Sequence, residues 1–184
     1  MESSVLQYGA AANDVAFYRL ADAMFIKAEC LLRLGRDKQQ AADLVSAVRA
    51  RSFDNSAQAL RTVADLEGGS VYEYGYRENT RTGYTHSGGF APVGEPFYTE
   101  ITNEGGADIV LGGLLDDLGW EFVGEHHRRQ DLIRFKLTDG RNVFNGKSWF
   151  CKRATTETHW DYFPIPKPAR DANINLVQTA GYQD

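Results

Sequence analysis

The chain has 184 residues, 42% of them hydrophobic and 24% charged, which is enough for one globular domain with its own core. Its formal net charge of −5 has the wrong sign for a general phosphate-backbone binder, so nucleic acid is not an expected partner. No apolar run approaches the roughly 18 residues needed to span a bilayer. The opening residues, MESSVLQYGAAAND, have neither the basic nor the apolar part of a secretion signal. That leaves two readings, a cytoplasmic protein or a piece of a longer one.

The first strong element runs from about Asp14 to Leu34. Phe17, Leu20, Ala21, Met24, Phe25, Ala28, Leu31 and Leu32 recur every three or four residues and predict one apolar helical stripe. Asp14 is the expected N-cap and Gly35 the left-handed stop. Cys30 falls within this pattern and is expected as a buried free thiol. A second helix, from about Lys38 to Arg51, carries Ala41, Leu44, Val45 and Val48. So short a link forces the two helices antiparallel, and their small residues permit close approach. The result is a tetratricopeptide-like hairpin. Cys30 and Cys151 lie far apart and form no zinc-binding spacing.

From about 67 to 108 glycines become dense and aliphatic residues scarce, while five of the nine tyrosines gather here. This reads as a long irregular insertion, with a short hairpin around Val71 to Tyr76. Loops of such length inside a domain are usually functional or disordered, and the tyrosines argue against disorder. A sugar offers an apolar C–H face and a rim of hydroxyls, which flat rings and neighbouring polar groups match. Tyr72, Tyr74, Tyr76, Arg77 and Tyr84 are therefore the candidate ligand contacts.

A third helix starts near Ile109 with Leu111, Leu114, Leu115, Leu118 and Phe122 on its stripe, and EFVGEHHRRQDLIRF (residues 121–135) continues it. Two adjacent histidines among so many charges could be a catalytic or metal site. On a continuous helix, however, adjacent side chains point about 100° apart and cannot easily share an ion. Glu121, Glu125, Arg128, Asp131 and Arg134 fall at the three- and four-residue spacing of opposite-charge pairs and read as a structural ion-pair ladder. No catalytic residue, metal or cofactor is expected. The prolines of the closing segment, residues 163–176, fix an extended path, and Pro168 opens a helical turn at Ala169–Ala172.

Three stretches together resemble the SusD/RagB family: Phe17–Gly35 with Ala41–Arg51, Leu115–Phe135, and the C-terminal Phe163-Pro-Ile-Pro, Asp171–Asn173 and Gly181-Tyr182. Where family members usually carry arginines before Glu121, this chain has Leu118 and Trp120, and His126 replaces a small residue. The resemblance implies a mostly α fold: a tetratricopeptide-like hairpin plus further helices with long irregular loops. It implies a single domain over 1–184, with the insertion at about 67–108, equivalent to the family's C-terminal region without its N-terminal part. It further implies a non-enzymatic protein of the outer-membrane surface in Bacteroidetes-type bacteria. Such a protein is held by an N-terminal lipid anchor that this chain lacks. It binds glycans or other nutrients for a SusC-like TonB-dependent transporter. A helical-repeat module that binds protein partners and no small molecule is the alternative.

Overall fold

The computed structural model describes residues 17–75, 103–148 and 154–183, together with the backbone of 77–78 and 100–101. The chain divides into two compact units, residues 1–62 and 63–184.

The first unit is built on α1 (Leu20–Arg33) and α2 (Lys38–Arg49), which pack along their lengths as the predicted hairpin. The core is made by Ala21, Phe25, Ala28 and Leu32 of α1 and Ala41, Ala42, Val45 and Val48 of α2. The alanines bring the backbones together, and Phe25 and the valines fill the remaining space. Gly35 adopts φ +63°, and Arg36 N–H donates to the Leu31 carbonyl at 2.9 Å, closing α1 as expected. Asp37 then caps α2 by accepting from Gln40 N–H.

Three details of α1 differ from the periodicity. Phe17 and Leu20, expected on the apolar stripe, are both exposed, Phe17 lying before the first turn and Leu20 opening it. The helix begins at Leu20, with Arg19 N–H donating to the Asp22 carboxylate at 2.8 Å; Asp14, the expected cap, lies outside the described residues. Cys30 is exposed, not buried. It follows the core residue Ala28 by two positions, about 200° around the helix, which turns it to the outer face. A short α3 (Ser56–Ala59) completes the unit. Arg49 reaches from α2 to the Gln58 and Ala59 carbonyls at 2.9 and 3.1 Å and lies over the Phe53 ring. It satisfies carbonyls at the end of α3 that the helix itself cannot.

The second unit begins with α4 (Val63–Glu67). The chain continues irregularly to Gly75, and the two-residue strands β1 (Arg77–Glu78) and β2 (Glu100–Ile101) pair antiparallel. Among the described residues 71–75 no strand of the expected hairpin forms, and Tyr76 lies outside them. The Val71 N–H donates to the Asp116 carboxylate and the Tyr74 carbonyl accepts from Glu104 N–H, so the segment is held by tertiary bonds. Gly112–Glu121 forms α5 and Arg128–Arg134 forms α6. The helix expected to run through 109–135 is thus two helices. Gly124 at φ +81° and His126 at φ +63° turn the chain between them. The start also moves, because Ile109 pairs with Leu137 as an antiparallel bridge.

The α4–α5 contact depends on Gly112 and Gly113. A Cβ on either would collide with the backbone of Gly69–Ser70 or of Asp65. Leu66, Ile109, Leu114, Leu115, Leu118, Phe122, Leu132, Phe135 and Val143 are buried as the core. α7 (Val143–Gly146) and a 3-10 turn (His159–Asp161) are clamped together. The Asp161 carboxylate accepts from the side-chain amides of Asn142 and Asn145 at 2.8 and 2.6 Å. α8 (Lys167–Ala172) follows, opened by Pro168 as expected. No helix among the described residues is long and apolar enough to cross a membrane.

Candidate functional site

The buried face of α5 is set by Leu114, Leu115 and Leu118. Trp120, two residues beyond Leu118, therefore points outward and is 65% exposed. Tyr72 reaches it from the segment after α4. That segment is fixed by Asp116, whose two carboxylate oxygens accept from the Ser70 hydroxyl and the Val71 N–H. The Tyr72 and Trp120 rings stand 6.3 Å apart, inclined by 37°. The turn between α5 and α6 forms the facing wall, where Phe122 is buried and stacks on His127 at 4.8 Å. Together Tyr72, Leu118, Trp120, Val123, His126 and Arg128 frame an open groove of about 580 Å³. Grooves that hold small ligands commonly measure roughly 300–1,000 Å³.

Beneath the groove lies a polar cluster. The Arg128 guanidinium donates to the Leu115 carbonyl at 2.8 Å and to the Tyr74 hydroxyl at 3.0 Å. It passes against Gly119, where even a Cβ would come within 3.0 Å of Nη1. Burial pushes the Tyr74 phenol above its ordinary value, partly offset by the Arg128 charge. Burial likewise raises Asp116, against the bonds from Ser70 and Val71. It raises Asp131 too, opposed chiefly by Arg134, which pairs with Asp131 at 2.8 Å. The other Asp131 oxygen is buried and has no hydrogen-bond partner.

The sequence-predicted residues separate in space. Tyr72 lines the groove; Tyr74, only 4% exposed, braces Arg128 from behind. Arg77 lies in β1, its backbone paired with Ile101. Tyr76 and Tyr84 lie outside the described residues. Of the charged set, Glu121 ends α5, Glu125 lies in the turn, and Arg128, Asp131 and Arg134 belong to α6. Among the described residues no group of three or more His, Cys, Asp or Glu is placed to hold a metal. Sequence reasoning passed over Trp120 and His126 as groove residues. The signal was present, since Trp120 sits off the apolar stripe and both depart from the family pattern.

The sequence profile of the SusD family matches residues 2–182. The chain belongs to the SusD family. Among curated SusD proteins, the "Starch-binding protein SusD" of Bacteroides thetaiotaomicron is 22% identical over 172 residues. That alignment covers 93% of this chain and 22% of the relative, so this SusD-family chain spans about a fifth of its relative's length. No solved structure matches it. The arginine-rich segment that carried the resemblance is the one that builds this groove: Arg128 supports its base, and the turn before α6 makes its wall.

Proposed function

We propose that this chain is a binding, non-catalytic part of a nutrient-uptake protein. It takes a glycan or other nutrient at the outer-membrane surface for delivery to a SusC-like TonB-dependent transporter, and the complete protein is held there by its N-terminal lipid anchor. Family membership supports nutrient binding, and the inclined Tyr72–Trp120 pair at the mouth of an open groove carries the assignment of a site. Aromatic faces of this kind match the C–H face of a sugar ring. Tyr72 and Trp120 are assigned to ligand contact, with Tyr76, Arg77 and Tyr84 of the insertion as further contacts. Tyr74 supports the groove through Arg128.

A shallow groove buries little of its ligand, so affinity is expected to be about millimolar. The test is calorimetric or NMR titration of a glycan panel against the parent chain, Tyr72→Ala and Trp120→Ala. Binding by the parent that is lost in Trp120→Ala supports the assignment. Undiminished binding by both variants removes the groove from it, and no binding by the parent removes the function.

A further inference from the structure

The polar groups of the groove are unequal in kind. Arg128 and the Trp120 indole only donate hydrogen bonds; Tyr72 and His126 supply groups that can work either way. Among the described lining residues there is no carboxylate and no carboxamide side chain. A neutral sugar presents hydroxyls that donate as well as accept, so a site built for it needs strong acceptors beside its aromatic platform. This groove offers a cationic donor, and its side-chain acceptors are limited to the neutral Tyr72 hydroxyl and His126 ring.

Arg128 sharpens the imbalance. A guanidinium has five N–H donors. Two are engaged, and both go to neutral acceptors, the Leu115 carbonyl and the Tyr74 hydroxyl. Glu121 and Glu125 flank the groove in sequence, but neither lines it. The cation is thus fixed in place by its own bonds; its charge also acts on the buried Asp116 and Asp131, and three of its five N–H groups lie outside those two bonds, donors of the kind that suit a carboxylate or sulfate.

Resting on the groove assignment above, we infer that the ligand is an acidic glycan, one whose sugar ring carries a carboxylate or sulfate. The ring lies on Trp120 and the anionic group is read by Arg128. This names a substrate class, and it differs from a neutral α-glucan.

The experiment titrates the parent chain at low salt with three matched probes: a galacturonic acid hexamer, the neutral galactose hexamer obtained by carboxyl reduction, and a sulfated galactose hexamer. An added charge-assisted contact predicts that the anionic probes bind at least about tenfold more tightly than the neutral one, with the gap narrowing as salt rises. Preference for the carboxylate or the sulfate probe then identifies the source of the charge. Arg128→Met is expected to compress the acidic-to-neutral ratio. Should that variant fold poorly, the probe and salt comparisons on the parent decide alone. Equal binding of all three probes, lost in Trp120→Ala, overturns the inference and leaves the groove standing. No binding of any probe overturns both.

Discussion

Replacing Tyr74 with phenylalanine removes one oxygen atom from the support of the groove, one that meets both Arg128 and the Ser70 side chain. The ring is only 4% exposed, and phenylalanine fills the same space, so no cavity term arises. What disappears is the acceptor for Arg128 Nη2, 3.0 Å away. A hydrogen bond to a charged group contributes roughly 1.5–3 kcal/mol, and the penalty is largest when the charge cannot find water. Arg128 is half-buried and lines an open groove, so water partly replaces the lost oxygen. The cost therefore falls at the lower end, about 1.5 kcal/mol. With a urea m value of about 2 kcal/mol/M, the midpoint drops by about 0.7 M. The assay is urea unfolding of the parent, Tyr74→Phe, Arg128→Met and the double variant. The two side chains are expected to couple by about 1 kcal/mol or more in that cycle. A Tyr74→Phe cost below about 0.3 kcal/mol, or a coupling of zero, would show that the guanidinium draws nothing from the phenol and refute the reasoning.

Three further outcomes are expected. Gly113→Ala gains up to about 1 kcal/mol of helix propensity but drives its Cβ into the Asp65 backbone, which cannot rotate away, so a net loss of about 2 kcal/mol is expected in urea melts; an unchanged midpoint would contradict it. Asp161→Ala strips the acceptor from the Asn142 and Asn145 amides, both nearly buried, and should cost about 2–4 kcal/mol and speed proteolytic cleavage in 154–183; an unchanged cleavage rate counts against it. Asp131 is held above its ordinary value by burial, so its folded form keeps a proton that the unfolded chain releases at about pH 4. Its contribution is full below that pH and is lost as pH rises through the folded value. Asp131→Asn should consequently gain stability relative to the parent as pH rises above about 4, and a flat or falling difference would reject this.

The hairpin of the first unit was legible because it depends on one local rule. Its core residues recur at helical spacing, and Gly35 marks the link between the helices; the Asp37 cap was found only in the structure. Cys30 went astray for an instructive reason: a residue inside an apolar run need not lie on the apolar face, and here it lies about 200° from Ala28. The break between α5 and α6 was harder to see. Glu121 to Arg134 satisfies charge spacing on a continuous helix, and only Gly124 hints at an interruption. His126 at φ +63° is a conformation that a histidine adopts rarely, so its own identity gave no warning.

The groove was legible in kind but displaced in place. Reading aromatic density located Tyr72 and with it the segment that forms one wall. The opposite wall comes from a residue more than forty positions away, and what joins them is Asp116, an acidic residue on the buried side of α5. Hydrophobic periodicity does not single out such a residue, because it is chosen to hold the irregular 70–72 segment by hydrogen bonds and not to pack. The same holds for Arg128. Its charge acts on Asp131 of its own helix, while its hydrogen bonds, made from a position under Gly119, go to the preceding helix and to Tyr74. Charged residues on adjoining helices can thus satisfy local spacing and still take their partners elsewhere. In this unit those distant bonds, more than the local ones, set Trp120 and Tyr72 6.3 Å apart.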